Sequence, residues 1–290
     1  MTPRMLLTSL TLLAMLAAPS RAADAFTPPA KEKFKIFLLV GQSNMAGRGK
    51  IEAEDQKPHP RVVTLNKEGA WVPAVDPIHF DKPTMIGVGL GTTFGKMIAE
   101  KRPDDVIGLV PCAFGGTSID QWTKGNKRGL YDEAIARAKI AMKDGTLAGI
   151  LWHQGESDAK AADVYADKAA RLFADFRKDL DAPNVPIVVG LLGEFYAGKD
   201  DINAVLRSLP KSIPSLAVAE SEGLGHKGDK VHFDAAAYRE FGRRYAAKWI
   251  ELTVTANHGG NLGSRSPSSA FFSPVAPAAV FARLQNDRPE

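Results

Sequence analysis

Short apolar segments alternate with longer helical segments along most of this chain, and no other feature restricts its fold as much. Five segments of four to seven residues are rich in apolar or β-branched side chains: 35–40, 106–112, 148–152, 186–191 and 216–219. Between and after them, apolar residues recur at three- and four-residue spacing, most clearly in residues 161–180 and 235–252. Because parallel strands need crossovers that cover both faces of a sheet, the pattern predicts an α/β domain with a parallel five-stranded, doubly wound sheet.

Polar motifs follow the ends of the predicted strands, where a doubly wound domain places its ligand site. The first motif, GQSNMAG at residues 41–47, puts Ser43 at a strand-to-helix turn. There the hydroxyl is exposed and the backbone N–H lies at a helix N-terminus, which stabilises negative charge. The placement suits a nucleophile, although a serine that only caps the helix fits it equally well. The residues around Ser43 match neither the P-loop motif nor the GxSxG motif of α/β-hydrolases. The glycines of residues 87–95 do not have the spacing of a dinucleotide-binding motif.

The second and third motifs carry groups that can stabilise a developing negative charge. Gly115 and Gly116 follow the second strand, and their backbone N–H groups can point at an oxyanion unless they form only a sharp turn. Gln154 and Glu156 follow the third strand. The amide can donate to an oxyanion, and the carboxylate can accept from a histidine. His153 is a weaker candidate because its side chain can point the other way.

The fourth motif, GDKVHFD at residues 228–234, directly precedes the last predicted helix. Asp229 and His232 are three residues apart, so the carboxylate can bind Nδ1–H and leave Nε2 free to take a serine proton. His226 is the rival base, and we prefer His232 because a carboxylate precedes it at the useful spacing.

The remaining histidines and the single cysteine are not expected to act in catalysis. We expect His59, His79 and His258, which lie in predicted loops, to be solvent-exposed or structural. Cys112 is expected to be a small buried apolar residue rather than a nucleophile. Since the chain has no HExxH motif and no second cysteine, neither a metal nor another cofactor is expected.

Residues 1–22 show the pattern of a secretory signal peptide, with the early positive charge of Arg4, an apolar stretch of about 14 residues, and small residues at Ser20 and Ala22. The stretch is shorter than the ~20 residues that span a bilayer, although an uncleaved anchor remains the alternative. We therefore expect a secreted or periplasmic protein that begins near Ala23, without stable membrane insertion.

The rest of the chain is predicted to form one catalytic domain, residues 23–255, followed by a loosely ordered Ser/Pro/Ala-rich tail, residues 256–290. Within the domain, residues 53–86 carry prolines at 58, 60, 73, 77 and 83. We predict that they form an irregular excursion over the sheet edge that shapes the substrate site.

The charge balance argues against a nucleic-acid partner. The chain has 37 Lys and Arg against 33 Asp and Glu, a net charge of +4. Removing Arg4 and Arg21 with the signal segment leaves 35 against 33, or +2. No run of five like charges occurs.

In this order, GQSNMAGRG, GGTSIDQW, WHQGESD and DKVHFD resemble the motifs of the SGNH (GDSL-like) hydrolase superfamily. They are most similar to its sialate O-acetylesterase and acetylxylan esterase group, carbohydrate esterase family six. The resemblance spans about residues 35–249. It implies a flavodoxin-like three-layer α/β/α fold and metal-independent removal of O-acetyl groups from an acetylated carbohydrate.

Carried over residue by residue, the resemblance makes Ser43 the nucleophile and His232 the base. It leaves the orienting acid open between Asp229, slightly preferred, and Glu156.

For the oxyanion hole the resemblance implies the N–H groups of Ser43 and Gly116 together with the amide of Gln154, which stands where the wider superfamily has an Asn. Gln42 and Asn44, on either side of the serine, are expected to bind substrate. Two alternatives stay open: an SGNH lipase, thioesterase or arylesterase of broader acyl specificity, and a carbohydrate-binding relative without catalysis.

Overall fold

A computed structural model describes residues 26–259, with side chains to residue 255. The predicted signal segment, residues 1–22, and residues 260–290 of the predicted tail lie outside the described range. Residues 256–259, which were predicted to begin the tail, continue the last helix instead. The strands, in chain order, are β1 Phe34–Gly41, β2 Val62–Leu65, β3 Trp71–Pro73, β4 Val106–Pro111, β5 Thr146–His153, β6 Ile187–Gly190 and β7 Leu216–Ala219. The α-helices are α1 Ser43–Ala46, α2 Leu90–Lys101, α3 Leu130–Ala141, α4 Ala162–Asp179, α5 Lys199–Ser208 and α6 Ala235–Gly259.

The strands form one mixed sheet in the order β3-β2-β4-β1-β5-β6-β7. The five strands predicted from the sequence are its contiguous parallel part, β4-β1-β5-β6-β7. Numbered among themselves they run 2-1-3-4-5, the flavodoxin-like doubly wound order.

The prediction of a parallel five-stranded sheet is nevertheless wrong in strand number and in the direction of one strand. β2 extends the parallel run beside β4, and β3 pairs with β2 antiparallel at the edge. Both strands lie within residues 53–86, which were predicted to be irregular. They are only four and three residues long among prolines, too short for an alternating pattern to show.

Helices cover both faces of the sheet, as the predicted α/β class requires. The side chains of β1 alternate between the faces: Ile36 and Leu38 enter the core under α3, α4 and α5, whereas Phe37 and Leu39 enter the core under α2 and α6. All are fully buried. Each such side chain contributes about 1.5 to 3 kcal/mol relative to an exposed position. This burial on both faces is why the central strands read as nearly continuous apolar runs.

The carboxyl ends of β4, β1 and β5 lie next to one another and support the predicted motifs. Gly41, the last residue of β1, is paired with His153, the last residue of β5. Its φ of +130° favours glycine, and a side chain there would overlap the His153 backbone. Only glycine therefore lets the two strand ends meet at this distance. Among the described residues, no helix is long and apolar enough to cross a membrane.

Candidate active site

Ser43, His232 and Asp229 form one chain of hydrogen-bonding groups. Ser43 begins α1, and its Oγ lies 3.0 Å from Nε2 of His232. The other ring nitrogen, Nδ1, lies 2.7 Å from Oδ2 of Asp229. Because an ionised carboxylate only accepts, Nδ1 carries the proton and the neutral ring presents a free Nε2 to the serine hydroxyl. In this geometry the imidazole can take the serine proton.

Asp229 is held in its ionised form by the loop that carries it. Its Oδ1 accepts the N–H groups of Val231 and His232 at 3.0 and 2.8 Å. Burial opposes ionisation, but the hydrogen bonds from the His232 backbone and side chain outweigh it and hold the pKa of Asp229 well below its usual range. The carboxylate is still about one-third exposed, with Lys227 Nζ 3.7 Å away. The acid therefore lies at the rim of the site.

Glu156, the other candidate for the orienting acid, does not meet His232. Its two carboxylate oxygens accept hydrogen bonds from Gln42 Nε2 at 2.7 Å and from Asn44 Nδ2 at 2.5 Å. Nε2 of the fully buried His153 lies 3.6 Å from it. Burial raises the pKa of Glu156, but the nearby imidazole of His153 and the hydrogen bond from Asn44 outweigh it and lower the pKa overall. Glu156 thus carries its charge beneath the serine turn.

Asn44 joins the two halves of this arrangement. Besides Glu156, its amide nitrogen donates to the carbonyl of Val231 at 3.0 Å. Its oxygen accepts the hydroxyl of Tyr238 at 2.6 Å and the N–H of Phe233 at 3.3 Å. Since these contacts use the whole hydrogen-bonding capacity of the amide and the residue is buried, Asn44 lies under the site and does not face a ligand.

An open cleft of about 360 Å³ lies in front of Ser43, a volume within the range of small-molecule sites. Its lining residues are Gln42, Ser43, Arg48, Lys82, Met85, Gly115, Gly116, Glu156, Ser157, Tyr196, Val231 and His232. The N–H groups of Ser43 and Gly116 have no acceptor among the described residues. Gly116 adopts a φ of +76° and is exposed, which suits close approach of a ligand.

The amide of Gln154 does not reach the cleft. It is fully buried and its nitrogen donates to Thr117 O at 3.0 Å and to Asp158 Oδ2 at 2.5 Å. Its oxygen accepts the hydroxyl of Tyr165 at 2.8 Å. The cleft amide is that of Gln42, which the sequence assigned to substrate binding.

The other histidines lie apart from the serine. His226 accepts the N–H of Gly228 at 3.0 Å on Nδ1 and makes no contact with Ser43. His79, which was expected to be either exposed or structural, is buried, and desolvation lowers its pKa to about 3. The side chain of His258 lies outside the described residues.

Cys112 packs against the core beneath the second motif. Burial raises the pKa of its thiol to about 12, so it stays protonated at neutral pH. Within the described chain, no cluster of His, Cys, Asp and Glu could hold a metal ion.

One buried ion pair at the cleft was not predicted from the sequence. Arg48 NH2 lies 2.7 Å from Asp81 Oδ2, and both side chains are almost fully buried. Arg48 directly follows the first motif and could have been suspected from that position. Asp81 lies in the proline-rich segment without any local pattern that marks it.

Comparisons with known proteins identify the family and the fold of the chain. The profile of a family described as carbohydrate esterase, sialic acid-specific acetylesterase matches residues 33–251. A probable carbohydrate esterase of Arabidopsis thaliana is 32% identical over 238 residues, covering 74% of this chain and 90% of the relative. An X-ray structure from the same Arabidopsis locus superposes with a TM-score of 0.69 at 30% identity, covering 75% of this chain and 98% of that one.

A more distant match shares the fold. The crystal structure of a carbohydrate acetylesterase from Xanthomonas citri has a TM-score of 0.61 at 18% identity, covering 77% of this chain and 56% of that chain.

Proposed function

The chain belongs to the sialic acid-specific acetylesterase family of carbohydrate esterases and is a carboxylic ester hydrolase, and from this premise we propose that Ser43 removes O-acetyl groups from carbohydrates through an acetyl-serine intermediate. The observation that carries the proposal is the hydrogen-bonded series Ser43, His232, Asp229 at an open cleft.

In the first half-reaction, Nε2 of His232 takes the hydroxyl proton while Oγ of Ser43 attacks the acetyl carbonyl carbon. The carbonyl π electrons move to the oxygen, and the N–H groups of Ser43 and Gly116 donate to it. Each such donor lowers the barrier by about 3 kcal/mol. Asp229 stays ionised and stabilises the imidazolium that forms.

The imidazolium then gives its proton to the departing sugar oxygen, and the carbon–oxygen bond to the sugar breaks. Water enters, His232 takes one of its protons, and attack on the acetyl-enzyme forms a second tetrahedral intermediate. Return of the proton to Oγ of Ser43 releases acetate and restores the enzyme.

Export is part of the proposal. It rests on residues 1–22, whose charged start, apolar stretch and small residues have the signal-peptide pattern. In this proposal residues 23–255 make up the esterase domain, and its substrate is an acetylated glycan outside the cytoplasm.

The test compares Ser43→Ala with Ser212→Ala, which removes an exposed hydroxyl from the turn before β7. Acetate release is measured on an aryl acetate, acetylated xylan and acetylated sialosides. Ser43→Ala should lower aryl acetate turnover at least about 10³-fold without loss of fold, and Ser212→Ala should match the wild type. Wild-type rates in Ser43→Ala would refute the assignment.

Two further assays separate the alternatives. A preference for long acyl chains over acetyl would favour a lipase or thioesterase of broader specificity. Failure of a fluorophosphonate probe to label Ser43 in the folded protein would favour a binding protein without catalysis.

A further inference from the structure

The buried ion pair of Arg48 and Asp81 lies between two parts of the chain that meet only in the folded protein. Arg48 follows α1, directly beyond the serine turn, and its NH1 also donates to the carbonyl of Gly47 at 2.7 Å. Asp81 comes from the long connection between β3 and α2. With side-chain exposures of 1% and 0%, the two charges are removed from water and must satisfy each other.

The Asp81 carboxylate has a second bond, to the backbone of the second motif. The N–H of Gly115 donates to Oδ2 of Asp81 at 2.8 Å. A Cβ atom on Gly115 would lie 2.5 Å from Arg48 NH2 and 3.3 Å from Cβ of Ser43. Gly115 is therefore packed between the ion pair and the serine, and it has little freedom to rotate.

This contact bears directly on the next residue. Because the N–H of Gly115 points at Asp81, it is not available to a ligand. The N–H of Gly116 follows one peptide later and has no acceptor among the described residues. Holding the Gly115 peptide in place fixes where the Gly116 N–H points.

We propose that Asp81, locked by Arg48, is a positioning residue that aims the Gly116 N–H at the oxyanion. This inference rests on the proposed serine mechanism. The carboxylate touches neither substrate nor the reacting atoms. Its loss should lower the rate of the chemical step more than substrate binding, because a misplaced oxyanion donor acts mainly in the transition state.

The experiment measures kcat and KM for an aryl acetate, together with the melting temperature. Asp81→Ala should lower kcat about 10- to 100-fold with KM within about threefold. Asp81→Asn keeps an oxygen that can accept from Gly115 and should recover most of that loss.

The matched control is Asp55→Ala. Asp55 is also a buried acid in an ion pair, 2.8 Å from Arg239, but it lies away from the cleft. The Asp55→Ala variant should lose stability while its kcat stays within about twofold of the wild-type value. A kcat in folded Asp81→Ala within twofold of the wild type would overturn the inference, and so would an equal loss in Asp55→Ala.

If Asp81→Ala does not fold, the double variant Arg48→Met with Asp81→Leu decides, since it leaves no unpaired buried charge. A fall in kcat there supports the positioning role, and wild-type kcat refutes it. An active Ser43→Ala would instead refute the proposed function itself, so the two failures are distinguishable.

Discussion

Nε2 of His232 lies 3.0 Å from Oγ of Ser43, although the two residues are 189 positions apart in the chain. Ser43 is fixed by the end of the central strand β1, and His232 by the loop that enters α6. Asn44, next to the serine, donates to the carbonyl of Val231, next to the histidine. The neighbours of the two residues therefore hold them at hydrogen-bonding distance.

Asp229 and Glu156 should differ sharply when each is neutralised. Asp229→Asn should lower kcat on an aryl acetate about 10²- to 10⁴-fold, because an amide no longer fixes the tautomer or stabilises the imidazolium. Glu156→Gln should lower kcat less than about tenfold and mainly reduce the melting temperature, because Glu156 does not contact His232 but holds the buried amides of Gln42 and Asn44. The opposite ranking of the kcat values would make Glu156 the orienting acid.

Asp229 should also stabilise the fold in a pH-dependent way. Its folded-state pKa lies below the value of about 3.9 expected in the unfolded chain. Its stabilising effect is therefore complete above about pH 5 and is lost as the pH falls through the folded-state value. At pH 7 the wild type should melt at a higher temperature than Asp229→Asn, and this difference should become smaller near pH 3. A constant difference would contradict it.

Gln42 and Gln154 can be compared as donors to the oxyanion. The sequence assigned this role to Gln154, but its amide is occupied by Thr117 and Asp158. The amide of Gln42 lines the cleft and has one N–H beyond the bond to Glu156. We expect Gln42→Ala to lower kcat about tenfold or more, and Gln154→Ala to lower chiefly the melting temperature. A larger loss of kcat in folded Gln154→Ala would restore the original assignment.

Asp76 should make the fold less stable as the pH rises. Its carboxylate is almost fully buried beside the hydroxyl of Thr92, 2.9 Å away, and desolvation raises its pKa to about 7. Because the folded-state pKa exceeds the unfolded value of about 3.9, stability present below pH 4 is lost as the pH rises through 7. The loss is about 4 kcal/mol at most.

Asp76→Asn, which stays neutral, should therefore gain in melting temperature relative to the wild type between pH 5 and pH 8. Asp104→Asn, at an exposed carboxylate, should show no such trend. Parallel curves for Asp76→Asn and the wild type would show that the carboxyl titrates normally.

The positive charge of Lys82 should strengthen the binding of anionic sugar substrates. Its Nζ lies 3.9 Å from where a Cβ on Gly116 would sit, and no carboxylate of the described chain is within 4.0 Å of it. Of the other charged residues that line the cleft, Arg48 is paired with Asp81, and Glu156 accepts hydrogen bonds from the amides of Gln42 and Asn44. At low ionic strength, Lys82→Gln should raise KM several-fold for acetylated sialosides, which carry a carboxylate. The KM for neutral acetylated xylan should stay unchanged.

Lys211→Gln, an exposed lysine before β7, is the control and should change neither KM. An equal rise in KM for both substrates would mean that Lys82 acts by shape and not by charge.

The parallel core of the fold could be predicted because it depends on local patterns, and local patterns also offered Ser43, His232 and Asp229 as candidates, with Glu156 left open beside Asp229. Buried strands show as apolar runs, and Asp229 and His232 stand three residues apart. The β2–β3 edge could not be predicted, because its seven strand residues, set among prolines, are too few to show an alternating hydrophobic pattern. The orientation of Gln154 could not be predicted either, because its amide is held by Thr117, Asp158 and Tyr165. Asp81 is 34 residues from the glycine it holds, and no sequence pattern records such a contact.

The position of Asn44 divides the site into a part that must not change and a part that can. One buried amide ties the end of the central strand, Glu156, the histidine loop and α6. The rim residues Lys82, Met85 and Tyr196 make none of these four bonds. Substitutions at the rim can therefore change which substrate is bound while the hydrogen bonds that set the reaction geometry are kept.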